Sequence, residues 1–298
     1  MRILMYGAGV IGSIYAVKFV NAGYAVSLFA RGNRLRILQE KGLLYQDEQS
    51  VKKANLHILD TLDSNDIFDY IFVTVRYEQI HNALASLKGN AGENIVTMVN
   101  NPNGYTAWEE IIGKGKLIPG FAGAGGQIEN DVLQYRLTPK FVQPTIFGEI
   151  DGTITNRIIL LQKIFNASKV PCSISKNMDA WQKSHIAMVT ALANGIYFDG
   201  GDVYTTAKNK KAVRFMSSSL RHNFRMLKKA GIPIEPPKLD IFTTAPLWLM
   251  DIVLRNLYQT KFAETLINHH AQIAKEEMQT LDREFKAVIK KYGCGNKK

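Results

Sequence analysis

The sequence predicts an α/β chain in two parts, with alternating strands and helices in front and helices alone behind. Three observations carry this. A short apolar run, RILMY (2–6), leads through GAGVIG into a helix-compatible stretch. Further apolar runs of strand length follow: YAVSLFA (24–30), YIFVTV (70–75), NIVTMV (94–99) and VPCSI (170–174). Helical segments lie between several of them, as a buried parallel sheet with crossover helices requires. Beyond residue 175 the strand signals fade, and helical patterns occupy 177–197, 204–230, 245–255 and 260–290. A chain of 298 residues is expected to hold two domains, here placed at 1–174 and 175–298.

The first element is a buried strand, Arg2 to Tyr6, and Gly7-Ala8-Gly9-Val10-Ile11-Gly12 follows as G-x-G-x-x-G. Ser13 to Ala22 continues as a helix, with Ile14, Val17 and Val20 toward its packing side, Lys18 toward solvent and Gly23 at its end. Tyr24 to Ala30 is the second strand. Strand, glycine turn, helix and strand in this order form a Rossmann-type dinucleotide unit. Gly7 permits the tight turn, Gly9 lets a pyrophosphate approach the backbone, and Gly12 lets the helix pack close to the strand. The helix N-terminus offers free N–H groups to the anion. Gly7, Ala8, Gly9, Val10, Ile11 and Gly12 are therefore the expected cofactor loop, although the same turn can pack a helix on a sheet with no ligand. A secretory leader is not expected, because no small-residue cleavage site follows the apolar run. A spanning helix is not expected either, because Lys18 and the glycines interrupt it.

Readers of NAD place an acid after the second strand, for the ribose 2′-hydroxyl. Here the stretch is Ala30-Arg31-Gly32-Asn33-Arg34, without an acid. Arg31 suits a 2′-phosphate, Arg34 is placed to help, and NADP(H) is the expected cofactor. Two solvated arginines at a helix start are the plainer alternative.

Alternation continues with a helix over Leu35 to Lys41, a turn at Gly42, β-prone residues around Leu56 to Leu59, and a helix over Glu78 to Leu87. The turn NNPNG (100–104) and a helix piece, Trp108 to Ile112, come next. FAGAGGQIEND, VLQYRLT and PTIFGEI, within 116–150, read as antiparallel additions to the sheet, before a helix over Ile154 to Phe165.

Composition narrows the function. Hydrophobic residues make up 46% and charged residues 21%, an ordinary globular balance. Two cysteines, Cys172 and Cys294, lack metal-ligand spacing, so no metal site is expected and a reducing compartment, the cytoplasm, is. The net charge of +11 is spread along the chain without a nucleic-acid-binding signature, which points to anionic small molecules rather than nucleic acid.

In open parallel sheets, ligands sit beyond the carboxyl ends of the strands. Arg76, after YIFVTV, is either an anion partner or a surface cation. Asn101, after NIVTMV, either hydrogen-bonds a ligand or shapes the turn before Pro102. On the helix MDAWQKSHIAMVTALANG, Lys183 shares a face with Ala187, Thr190, Ala191 and Asn194 by helical spacing, small neighbours that leave room beside an ammonium. A solvated lysine is the plain alternative. Glu277 falls with Ile273, Leu281 and Val288 in an apolar stripe, where an acid is usually paired or functional. Glu284 lies on the same side and Glu276 is adjacent. The neighbours His269 and His270 point different ways on a helix, and no hydrolytic triad is readable.

These motifs together resemble the ketopantoate reductase (2-dehydropantoate 2-reductase) family over most of the chain. The segments are GAGVIGSIYA, VSLFARGNRLRILQEKGL, FVTVRYEQ, VNNPNG, IFGEIDG, DAWQKSHIAMVTALAN and KEEMQTLDREF. The resemblance implies NADPH-dependent reduction of a 2-keto acid to the 2-hydroxy acid. It maps the family's catalytic lysine onto Lys183 and its glutamate onto Glu277. Its turn asparagine falls on Asn101 and the lysine after the third strand on Arg76, both as cofactor contacts. Asn101, Thr190 and Asn194 become the expected substrate contacts. Lys183 would protonate the ketone oxygen, while Glu277 would orient lysine and substrate. The family's two asparagines after the lysine fall on Ala187 and Ala191, its serine before the glutamate at best on Thr265, and Pro102 replaces a glycine. The expectation is a reductase with a remodelled substrate pocket and a small anionic 2-keto acid as partner, a homodimer being left open. A non-catalytic NADP-binding sensor and an opine- or β-hydroxyacid-type dehydrogenase are the alternatives.

Overall fold

The computed structural model describes residues 1–90, 92–264, 267 and 274–295. The chain divides into two compact units: Met1–Val99 with Tyr105–Met178, and Asn100–Gly104 with Asp179–Lys298. The α/β front and helical rear expected from the sequence are both present.

The first unit is built on an eight-stranded sheet: β1 (Arg2–Tyr6), β2 (Ala25–Phe29), β5 (His57–Leu59), β6 (Tyr70–Val73), β7 (Ile95–Thr97), β8 (Leu117–Phe121), β11 (Thr145–Phe147) and β12 (Cys172–Ile174). Its order is β12-β11-β8-β7-β6-β1-β2-β5, with all pairs parallel except β11 against β8. The strands are short and apolar because both faces are covered: β6 and β7 are buried throughout. Helices α1 (Val10–Asn21), α2 (Gly32–Lys41), α3 (Ile80–Leu87), α4 (Thr106–Ile112) and α5 (Asn156–Ala167) belong to this unit. Phe19 of α1 meets Phe72 of β6 at 5.1 Å between ring centroids, and Phe72 meets Phe165 of α5 edge-on at 5.9 Å. Aromatic packing of this kind fixes the helix that carries the glycine loop.

The segment 116–150 departs from expectation. Only β8 and β11 join the main sheet. β9 (Ala124–Glu129) and β10 (Val132–Leu137) form a second sheet with β3 (Leu43–Asp47) and β4 (Ser50–Ala54), in the order β4-β3-β10-β9. The β3–β4 hairpin has no glycine or asparagine turn signal; Glu48 takes the positive φ itself, at 52°.

The second unit is helical: α6 (Met178–Asp199), α7 (Val203–Lys208), α8 (Lys210–Lys229), α9 (Ile241–Thr244), α10 (Leu247–Tyr258), a single turn Lys261–Ala263 and a last helix, Lys275–Gly295. The helix expected over 204–230 is two helices. Asn209 interrupts it by accepting from the backbone N–H groups of Lys211 and Ala212, an N-cap for α8. Of the helix expected over 260–290, residues 265, 266 and 268–273 lie outside the described residues, and with them Thr265, His269, His270 and Ile273.

Helix α6 is buried on nearly every side. Its small residues Ala187, Ala191 and Gly195 are four apart. A Cβ on Gly195 would lie 2.0 Å from Met216 Cγ of α8, and Asn223 Nδ2 of α8 donates to the Ala187 carbonyl at 2.9 Å. Gly195 thus lets α6 and α8 pack closely, and Asn223 ties α8 to the α6 backbone at Ala187. Tyr258 Oη also donates to the Leu192 carbonyl, at 2.9 Å.

Candidate functional site

The glycine loop has the geometry its spacing predicts. Gly7 takes φ +117°, a region open to glycine at little cost. A Cβ on Gly12 would lie 1.9 Å from the Gly7 carbonyl oxygen, so only glycine lets α1 start this close to the strand. Thr74 Oγ1, just after β6, donates to the carbonyls of Tyr6 (3.3 Å) and Gly7 (2.9 Å) and holds the turn. A Cβ on Gly9 would meet nothing within 4 Å. The space over Gly9 is therefore open, beside a helix start with neither a capping side chain nor an acid in its first turn. Such a start suits an anion, so the residues fit a dinucleotide pyrophosphate over Gly7–Gly12.

Arg31 and Arg34 differ sharply. Arg31 is exposed and lies over two rings, 5.1 Å from the Phe29 centroid and 5.6 Å from that of Tyr6. Its Nη2 also donates to Tyr6 Oη, which shares a 2.8 Å hydrogen bond with Ser86 Oγ. The Tyr6 and Phe29 rings are themselves stacked at 4.7 Å. Arg34 turns inward: its Nε donates to the Ala8 carbonyl at 3.1 Å, and its Nη2 is buried with no partner among the described residues. Burial lowers the Arg34 pKa, against the opposing field of Asp131. Arg76 precedes a short 3₁₀ turn, Tyr77–Gln79, and is exposed, with no ion pair among the described residues.

In the second unit, Lys183 is 1% exposed, among the largest fully buried side chains described. Its ammonium pairs with Asp179 Oδ1, one turn earlier on α6, and lies 6.0 Å from the Tyr292 ring centroid. The NNPNG turn belongs to the same unit. Its Asn101 is 2% exposed, and its backbone N–H donates to Gln182 Oε1 at 3.2 Å. The Asn101 carboxamide closes the turn, donating to Gly104 O (2.6 Å) and accepting from Asn103 N (2.9 Å). Asn103 Nδ2 donates to Glu284 Oε2 at 2.7 Å. The structure therefore gathers Lys183, Asp179, the turn and the last helix.

Other expected residues take different places. Glu277 is half-buried at the edge of the stripe rather than within it. The buried line of the last helix is Met278, Leu281, Phe285 and Ile289. Glu284 of that helix meets the turn, and Asp179 meets Lys183. Thr190 is fully buried and its hydroxyl donates to the Ile186 carbonyl at 2.8 Å. Asn194 is half-buried. Sequence reasoning missed Asp179 and Gln182. The i, i+4 spacing of Asp179 and Lys183 was a usable signal. Asn100, at the end of NIVTMV beside Asn101, is 6% exposed, and its Oδ1 is buried without a partner among the described residues. Among the described residues no His, Cys, Asp and Glu cluster could hold a metal, and no helix is long and apolar enough to cross a membrane.

The family pattern described as "Ketopantoate reductase PanE/ApbA" matches residues 3–152. The 2-dehydropantoate 2-reductase of Aquifex aeolicus (strain VF5) is 22% identical over 304 residues, covering 98% of this chain and 92% of that protein. Solved structures share the fold. One is D-mandelate dehydrogenase with NADH (TM-score 0.71, 14% identity, 98% of this chain and 93% of that one). Another is 2-dehydropantoate 2-reductase from Geobacter metallireducens GS-15 (TM-score 0.70, 14% identity, 97% and 98%). The protein is an oxidoreductase with a Rossmann-type unit and a helical unit. More particularly, it belongs to the ketopantoate reductase family.

Proposed function

We propose that the protein reduces a small 2-keto acid, 2-dehydropantoate or a related 2-oxoacid, to the 2-hydroxy acid with NADPH. The observation that carries this reading is the buried, ion-paired Lys183 ammonium in a chain of this family. Burying a lysine is costly unless its charge is paired or used. Gly7–Gly12 would hold the pyrophosphate, and Arg31, without an acid beside it, the 2′-phosphate. When bound, the reduced nicotinamide supplies a hydride to the keto carbon. Lys183 polarises the keto oxygen and gives it a proton, as general acid catalysis requires. One N–H of the ammonium is held by Asp179, which leaves two for substrate. The Asp179 side chain is 40% exposed against 2% for that of Lys183, so it links the buried ammonium to water for reprotonation. Arg76 is free to attract the anionic substrate or a phosphate. Thr190, its hydroxyl committed within α6, has no part in this reading.

Ala187 and Ala191 favour a 2-oxoacid other than 2-dehydropantoate, since a substrate contact built from asparagine carboxamides is missing there. Mandelate, named in one structural neighbour, is itself a 2-hydroxy acid. The test is NADPH oxidation with a panel of aliphatic, branched and aromatic 2-keto acids. Turnover of at least one, sharply reduced by Lys183→Ala with NADPH binding retained, is the expected result. A silent panel despite tight NADPH binding would replace the enzyme reading with that of a nucleotide sensor.

A further inference from the structure

The two arginines after β2 look equivalent in sequence, and their geometry separates them. Arg34 is the third residue of α2, and its guanidinium is directed at the glycine loop. Its Nε–H donates to the carbonyl of Ala8, between the first two glycines of the motif. Ser13 Oγ donates to the same carbonyl at 3.3 Å. That oxygen is thus gripped from α2 and from α1, and the peptide joining Ala8 to Gly9 is held in one orientation. Arg34 Nη2 has no solvent exposure, so it does not face a ligand over the loop. Asp131 (φ 69°) of the β9–β10 turn is paired with Lys41 at 2.5 Å, and its field opposes the lowering of the Arg34 pKa by burial. Arg31 is the opposite case, exposed and over the rings of Tyr6 and Phe29.

We propose that Arg34 is a positioning residue for the dinucleotide loop, holding the Ala8 carbonyl, and leaves discrimination of the 2′-phosphate to Arg31. This rests on the reading of Gly7–Gly12 as a dinucleotide site. A charge-assisted hydrogen bond that orders the loop favours NADPH and NADH alike, because both carry the same pyrophosphate.

The test is fluorescence titration of the full chain with NADPH and NADH for Arg34→Lys and Arg34→Met, beside Arg31→Met. Arg34→Lys keeps the charge and lacks the Nε–H donor; Arg34→Met keeps only the stem. Both should weaken the two nucleotides by the same factor, about tenfold, leaving their ratio unchanged, while Arg31→Met lowers the ratio. A selective loss of NADPH in the Arg34 variants would make Arg34 a phosphate reader and overturn the proposal, as would unaltered affinity for both. Amide hydrogen exchange at Ser13, whose N–H donates to the Gly9 carbonyl at 2.9 Å, in nucleotide-free protein is the second readout. Faster exchange there in Arg34→Lys, with protection in β6 and β7 unchanged, is expected, and unchanged exchange would overturn the loop role. If wild type binds neither nucleotide, the dinucleotide reading fails, and the exchange measurement still decides what Arg34 does.

Discussion

Lys183 and Asp179 form an ion pair one turn apart on α6, with the lysine buried and the aspartate half open to solvent. Such a pair fixes the ammonium and keeps one of its N–H groups out of reach. Asp179→Asn should leave a buried charge without its partner and cost about 1–2 kcal/mol of stability, less than a fully buried pair because water reaches Asp179. It should also lower kcat on a 2-keto acid, with NADPH affinity unchanged and partial recovery in Asp179→Glu. Lys183→Ala should lower kcat by roughly 10²–10⁴. Steady-state kinetics beside a nucleotide titration checks both, and an Asp179→Asn enzyme of wild-type kcat would rule out the positioning role.

Gly9 and Gly12 make opposite demands. A methyl on Gly12 strikes the Gly7 carbonyl at 1.9 Å, so Gly12→Ala must lift α1 off the strand, costing about 1–3 kcal/mol. A methyl on Gly9 touches nothing, and its φ of −72° suits alanine. Gly9→Ala should therefore melt like wild type and yet bind NADPH poorly, since the methyl occupies the space needed by the pyrophosphate. Calorimetry with and without nucleotide separates the two. A Gly9→Ala protein of full affinity would remove the loop from the site.

Tyr6 is the platform for Arg31. Tyr6→Phe keeps the ring stack and loses the hydrogen bond from Arg31 and the contact with Ser86. The NADPH-to-NADH affinity ratio should fall about fivefold, for loss of a bond worth about 1 kcal/mol, with NADH binding intact. An equal loss for both nucleotides would mean that Tyr6 supports the sheet rather than the arginine.

Buried tyrosines give the protein an alkaline limit. Burial pushes Tyr70 up to about 12 and raises Tyr15 and Tyr258 further, with Thr145 partly offsetting the effect at Tyr15. Above the unfolded value of about 10 the native state then holds more protons than the unfolded chain, so stability falls as pH rises. Below about pH 9 these tyrosines contribute no slope. Urea titrations at pH 8 and 10.5 should show the loss, with a smaller slope in Tyr70→Phe. An equal slope would assign the loss to other groups.

The sequence by itself determined the Rossmann-type start, the glycine loop, the two arginines after β2 and the helix that carries Lys183. Each is a local pattern: strand length, glycine spacing and helical period act over a few residues and leave a readable trace. Only the tertiary structure decided the rest. It moved β9 and β10 into a second sheet with β3 and β4, because strand partners far apart in sequence are chosen by long-range pairing. It turned Arg34 inward and left Arg31 outside, a distinction set by Ala8, Tyr6 and Phe29 rather than by either arginine. It buried Lys183 against Asp179, packed Ala187 and Gly195 on α8, and placed Glu277 at the rim of its helix's apolar line. Period alone locates a stripe, but which residue lies at its centre depends on the neighbouring helices against which it packs.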